Sequence, residues 1–213
     1  MAGCRTGPAA RAAEPAAPSR YTRPMHDLLL HACCGPCSTV AVPAWRGRGV
    51  EPLAWFHNPN IQPAAELERR LESMRRFSRA AGLELVVETR AQQTPAWREW
   101  TAVLGAAAPE ERCTVCLGLR LRQAAAAAAG RGLRRFSTTL TVSPYQRHDL
   151  IVAAGEAAAA EHGVDFVYLD LRGSFRGSYA ESRRLDLYRQ PYCGCAASKW
   201  EAWEQRWARK KAG

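Results

Sequence analysis

The sequence predicts an α/β protein in which helices cover both faces of a mostly parallel sheet, and three observations carry that expectation. From residue 27 onward, short apolar runs alternate with amphipathic helical stretches. Gly or Pro marks many of the junctions between them. The 213 residues, 47% hydrophobic and 23% charged, suffice for one sizeable core, and no apolar run approaches the about 20 residues that span a bilayer.

Residues 1–24 are rich in Ala, Pro and Arg and hold almost nothing large and apolar, so the burial that would offset the entropy of ordering is missing. A disordered tail is expected there, with Met25 as an alternative start, and residues 25–213 are expected to form a single α/β domain. Leu28 to Leu30 reads as a buried strand, and Gly35-Pro36 opens a helix that runs to about Trp45. A second strand covers Pro52 to Phe56, followed by the polar loop His57-Asn58-Pro59-Asn60. A charged amphipathic helix over Ala64 to Ala81 is closed by Gly82. Leu83 to Val87 is the third strand. Trp97, Trp100 and Leu104 mark a short helix, and Cys113 to Gly130 a long one whose second half is an alanine run. Strands at Phe136 to Leu140 and Val164 to Leu169 flank a helix over Asp149 to His162. Trp200, Trp203 and Trp207 stripe the last helix, and core packing is the expected use of that stripe.

Thirty basic residues against twenty acidic ones give a net charge of +10, a field that attracts polyanions such as nucleic acid. An Arg- and Ala-rich composition accounts for the same number without any partner, since only Lys199, Lys210 and Lys211 are lysines. The first 25 residues lack the apolar core of a signal peptide, so the eight cysteines are expected in the reducing cytoplasm. There, closely spaced cysteines bind metal or do redox chemistry more often than they form structural bridges.

With Cys4 set aside in the tail, seven cysteines fall in three groups: Cys33, Cys34 and Cys37; Cys113 and Cys116; Cys193 and Cys195. The first group follows a strand and opens a helix, where open α/β sheets place their sites and where backbone N–H groups favour thiolate. Two C-x-x-C pairs, Cys34/Cys37 and Cys113/Cys116, would ordinarily read as a structural zinc site with four thiolates. Such a site leaves Cys33, Cys193 and Cys195 unexplained, whereas an iron–sulfur cluster beside a further metal employs most of the seven.

Five ordered motifs carry a resemblance. They are His31-x-Cys33-Cys34-Gly35-Pro36-Cys37; Phe56-His57-Asn58-Pro59-Asn60-Ile61 with Pro63; Arg112-Cys113-x-x-Cys116 with a following Arg-Leu; Thr138-Thr139-Leu140 with Ser143-Pro144; and Tyr192-Cys193-Gly194-Cys195 with Ser198. Together, from about Leu28 to Ser198, they resemble the QueH-type epoxyqueuosine reductases. The resemblance implies a Rossmann-like fold akin to the adenine nucleotide α-hydrolases. It implies reduction of the epoxide of epoxyqueuosine at the tRNA wobble position, the last step of queuosine synthesis. It also implies a 4Fe-4S cluster with an adjacent mononuclear iron held by cysteines and a carboxylate. Two departures stand out: Thr89-Arg90-Ala91-Gln92 replaces an aromatic-acidic pair, and the segment from Ser174 to Tyr188 looks short. The carboxylate is therefore not identified, with Asp149, Asp170 and Asp186 as candidates and a helix cap or surface ion pair as the ordinary use of each.

On this reading the seven cysteines are metal ligands, and electrons come singly from a ferredoxin- or flavodoxin-type donor. His31 is a candidate proton donor or a hydrogen-bond partner of a cluster sulfur. Asn58 and Asn60 are candidates for substrate binding, though Asn-Pro-Asn is also a good turn. Tyr145, Tyr192 and Tyr188 offer stacking surfaces, with core packing as their default. Arginines at 69, 70, 75, 76, 79, 120, 122, 131, 134 and 135 either track phosphates or line solvated faces. Two readings of other classes remain open: a zinc-stabilised RNA-binding module without catalysis, and a thiol–disulfide redox protein using Cys34 and Cys37.

Overall fold

A computed structural model describes residues 26–103 and 108–212, without the side chains of residues 90, 91, 103, 109, 110 and 212. The expected tail, Cys4, Met25 and Leu104 lie outside the described residues. In chain order the elements are β1 (Leu28–His31), α1 (Gly35–Arg46), β2 (Pro52–Phe56), α2 (Ala64–Ala81), β3 (Leu85–Val87), α3 (Arg90–Val103) and α4 (Pro109–Ala129). Then come β4 (Arg135–Thr138), a 3-10 turn (Thr139–Val142), α5 (His148–His162), β5 (Asp165–Phe166), a second 3-10 turn (Arg172–Ser174), α6 (Phe175–Arg184) and α7 (Ala196–Ala212).

All five strands are parallel, in the order β3-β2-β1-β4-β5. This is the order of a Rossmann-like sheet. Right-handed crossovers then put α1 and α2 on one face and α4 and α5 on the other. Accordingly α1 packs on α2 and α6, while α4 packs on α5, β1 and β4. The central strand is apolar throughout because both its faces are covered: Leu28, Leu29 and Leu30 are fully buried, as are Ala54 and Phe56 of β2 and Phe136 of β4. Buried Ala124, Ala125 and Ala128 give α4 a smooth face that approaches the sheet and α5 closely. No described helix is long and apolar enough to cross a membrane.

Several expected boundaries shift. The apolar run from Val164 to Leu169 pairs over only two residues, because this strand lies at the sheet edge. Thr139 and Leu140 leave the strand for the 3-10 turn, where the Thr138 hydroxyl accepts the Leu140 N–H. The helix α6, strongly polar, was not expected. The largest correction concerns α7: Trp200, Trp203 and Trp207 are 64%, 48% and 51% exposed, so the stripe is not core.

The strand order reverses between β1 and β4, and open α/β sheets place their sites beyond the carboxyl ends of the strands at such a switch point. Cys33, Cys34 and Cys37 lie there, directly after β1.

Candidate metal centre

Beyond β1 the chain turns through Ala32-Cys33-Cys34 into α1. Cys34 is extended at φ −171° and ψ 162° and caps the helix, with Pro in its first turn. A Cβ at Gly35 would stand 2.6 Å from the Ser73 carbonyl oxygen, so the contact between α1 and α2 that seats this turn requires glycine. Cys33, Cys34 and Cys37 thereby face inward, with their Sγ atoms all within 4.8 Å of one another. The turn is tied to the neighbouring strand end. Thr139 Oγ1 accepts from the Cys33 backbone N–H at 3.0 Å and donates to Cys33 Sγ at 3.2 Å. From the other side Gln190 Nε2 donates to Cys34 Sγ at 3.0 Å.

The three thiols share their protons unequally. Hydrogen bonds from the Cys33 and Cys37 thiols hold Cys34 well below the usual thiol range, against the opposing effect of burial. Donating to Cys34 pushes Cys33 up to about 11, and donating to both neighbours raises Cys37 well above its ordinary value. Ionisation is thus favoured at Cys34 over its two neighbours, and a cation among the sulfurs would favour it at all three. Soft, convergent and buried, this donor set fits a thiophilic metal. Among the described residues no carboxylate or imidazole nitrogen joins the three sulfurs within the same radius.

The other four cysteines are near enough to act on one another electrostatically, but among the described residues no three of their sulfurs converge as those of the turn do. Cys113 and Cys116 lie one turn apart on α4, and Cys193 and Cys195 lie in the loop that enters α7. Burial pushes the Cys116 thiol up to about 11, and the Cys193, Cys195 and Cys113 thiols around it act in the same direction. Burial also raises Cys113, with Cys193 and Cys195 adding to it. Gln146 Nε2 donates to Cys193 Sγ at 3.4 Å, and the Ser198 backbone N–H to Cys195 Sγ at 3.3 Å.

A buried ion pair holds the loop in place. Arg70 and Glu66, 2% and 5% exposed, bond at 2.8 Å. The other two guanidinium nitrogens of Arg70 donate to the carbonyls of Cys193 at 2.7 Å and Tyr192 at 3.0 Å. Tyr188 donates its hydroxyl to Glu66 at 2.7 Å. Gly194 has φ 149°, and its carbonyl accepts from the Gln62 N–H at 2.8 Å.

Arg120 links the two groups electrostatically. Its guanidinium is buried, and its Nε donates to the Cys116 carbonyl at 3.2 Å. Burial disfavours its charge, the sulfurs of Cys116, Cys193 and Cys33 favour it when ionised, and no carboxylate pairs with it among the described residues. A buried cation without a carboxylate is costly unless another anion faces it. Thiolate formed at these sulfurs would supply that anion. Helical spacing signals the position, because Arg120 stands four residues after Cys116 and seven after Cys113.

The remaining expected residues are placed as follows. His31 is fully buried; Nε2 donates to the His57 carbonyl at 3.1 Å, and Nδ1 accepts from the Thr138 hydroxyl at 2.9 Å. Burial, with Arg120 assisting, pushes it down to about 3, so it is neutral and braces the turn. Asn58 donates to the Ala32 carbonyl at 2.9 Å, while its Oδ1 and that of Asn60 are buried without a partner. His57, stacked on Trp55, leaves both ring nitrogens unpaired and buried. Tyr192 gives its hydroxyl to the Gln62 carbonyl and lies under Arg70, whereas Tyr145 is 83% exposed. Asp149, Asp170 and Asp186 form exposed ion pairs with Arg147, Arg172 and Arg76, away from the sulfurs. Of the arginines expected either to track phosphates or to line solvated faces, Arg70 and Arg120 instead belong to the interior, and Arg76, Arg79 and Arg122 pair with carboxylates.

Sequence reasoning assigned no role to Thr139, Gln146 or Gln190, which donate to sulfur. Gln190 stands in irregular chain where no periodicity marks it.

A family model described as "Epoxyqueuosine reductase QueH" matches residues 28–201. Three relatives named Epoxyqueuosine reductase QueH are similar to this chain. That of Dehalococcoides mccartyi is 40% identical over 174 residues, which cover 82% of this chain and 93% of the relative. That of Thermotoga maritima is 34% identical over 189 residues, 85% and 94% of the two chains. That of Haemophilus influenzae is 31% identical over 198 residues, 87% and 78%. Among solved structures, "predicted subunit of tRNA methyltransferase" from Methanocaldococcus jannaschii is similar at a TM-score of 0.49 and 10% identity, covering 73% of this chain and 74% of that one.

Proposed function

This chain belongs to the QueH family of epoxyqueuosine reductases, and from that premise we propose that it reduces the epoxide of epoxyqueuosine at the tRNA wobble position to give queuosine. The observation that carries the proposal is the buried convergence of Cys33, Cys34 and Cys37 at the sheet's switch point, with four further cysteines beside them. Overall, two electrons and two protons enter, the C–O bonds of the epoxide break, water leaves and an alkene remains in the ring.

The cysteines are the residues that hold iron: a 4Fe-4S cluster and an adjacent mononuclear iron together need more thiolates than either group alone offers. Bound there, they supply single electrons and a Lewis acid for the epoxide oxygen. The chain's own residues do the rest. Thr139, Gln190, Gln146 and the Ser198 N–H donate to sulfur, and donors of this kind raise the potential of a thiolate-held metal. Arg120 offsets the excess negative charge of the sulfurs. Asn58 Oδ1 and Asn60 Oδ1, buried acceptors in want of a donor, suit ring hydroxyls of the substrate. His31 keeps the turn in register with β4. Electrons arrive from a ferredoxin- or flavodoxin-type donor in the reducing cytoplasm, consistent with seven described cysteines that are all free thiols.

The test is turnover. Protein purified without oxygen and loaded with iron and sulfide, given a chemical reductant and tRNA carrying epoxyqueuosine, is expected to yield nucleoside lacking one oxygen atom. Iron-loaded protein that leaves the nucleoside unchanged contradicts the proposal.

A further inference from the structure

We propose that the exposed face of α7, with the cleft at its start, is a docking site for the RNA loop that flanks the substrate base. The inference rests on the reading above that this base is carried by RNA. The helix begins one residue after Cys195, so it leaves directly from the metal centre, and its 17 residues reach about 25 Å outward at 1.5 Å per residue. Trp200, Trp203 and Trp207 share one face, and their rings lie nearly parallel, at 17° and 14°, with centroids 5.2 and 6.1 Å apart. Indoles left open to water in such a row invite a partner.

Charge and shape identify that partner. Lys199, Arg206 and Lys210, spaced seven and four apart, form a basic row beside the indoles at helical spacing. Lys211 adds its ammonium 3.7 Å from the Trp207 ring centroid. Five basic side chains on α7 stand against two acidic ones, of which Glu201 is already paired with Arg112. At the amino-terminal end, Gln62, Pro63, Ala196, Lys199 and Trp200 line a cleft of about 500 Å³, within the size range of small-ligand sites. An indole wall with an ammonium at its edge suits a nucleobase and its phosphate, and aromatic faces flanked by cations are how proteins hold unpaired nucleotides without reading sequence. An acidic electron carrier would meet the same charges but has less use for an open row of indoles. Trp203, Arg206, Trp207 and Lys210 lie beyond residue 201, where the family match ends.

The experiment measures binding of the full chain to a fluorescently labelled, unmodified anticodon stem-loop RNA by anisotropy across a salt series. Beside wild type stand Trp203→Ala/Trp207→Ala and Lys199→Gln/Arg206→Gln/Lys210→Gln, each first shown by circular dichroism to keep its helix content. The aromatic variant is expected to bind at least about fivefold more weakly, the loss of one stacked base. The basic variant is expected to lower the salt slope by about 2, three lost phosphate contacts at roughly 0.7 each. On epoxyqueuosine-containing tRNA with a chemical reductant, the aromatic variant should raise KM and leave kcat in place. Unchanged RNA affinity and salt slope in both variants overturn the proposal. So does a defect that appears only when a flavodoxin replaces the chemical reductant, which assigns the face to an acidic carrier, or only in sedimentation, which assigns it to a second copy. Failure of wild-type turnover refutes the reductase reading and leaves the binding comparison to decide this surface separately.

Discussion

Cys34→Ala is expected to strip the metal from the turn and to leave no measurable turnover. Cys34 is the thiol whose ionisation its neighbours favour, and it receives the Gln190 amide as well. Removing an outer hydrogen-bond partner of a metal ligand costs about 10–100-fold in affinity or activity, and loss of the ligand itself exceeds that. Counting iron and assaying turnover on the same preparation checks the expectation, and wild-type values for both would remove Cys34 from the centre. Cys195→Ala is the companion variant. It should abolish turnover too, while retaining the iron held by the turn.

Arg70→Ala should destabilise the fold by about 3–5 kcal/mol, because it leaves the Glu66 carboxylate buried and without its cation. For a chain of this length that corresponds to a fall in Tm of roughly 10 °C. The effect reaches the metal centre as well. Arg70 carries the carbonyls of Tyr192 and Cys193, so the variant frees the loop that presents Cys193 and Cys195. Thermal unfolding of the metal-free chain reads the first effect apart from the second. A loss under about 1 kcal/mol, the range of an exposed pair, would show that the bond between α2 and the loop carries no structural weight.

The sheet was legible in the sequence because both its faces are covered. Leu28 to Leu30 and Pro52 to Phe56 are short unbroken apolar runs, and the helices between them end at signals such as Gly82, which takes the left-handed conformation at φ 55°. Thiol spacing pointed to the turn after β1, since a C-x-x-C at a helix start turns both sulfurs one way. Periodicity failed where it reports only that a face is apolar, not what covers it: the Trp stripe of α7 has the spacing of a core helix and yet faces water. The arginines failed for the opposite reason. Arg70 lies at helical spacing among Leu67, Leu71 and Met74, and Arg120 lies in line with two cysteines, but charge alone suggested phosphate contact or a solvated face for both. Their neighbours along the helix held the information.

Central to the proposed function is iron held by sulfurs from three distant stretches of chain near the carboxyl end of β1. Metal and sulfide analysis of protein prepared without oxygen, joined to X-ray absorption at the iron edge, tests this most directly. Several irons per chain with inorganic sulfide and an iron–sulfur first shell is the predicted result. A colourless protein holding a single zinc, or one free of metal with a reducible disulfide between Cys34 and Cys37, would contradict it.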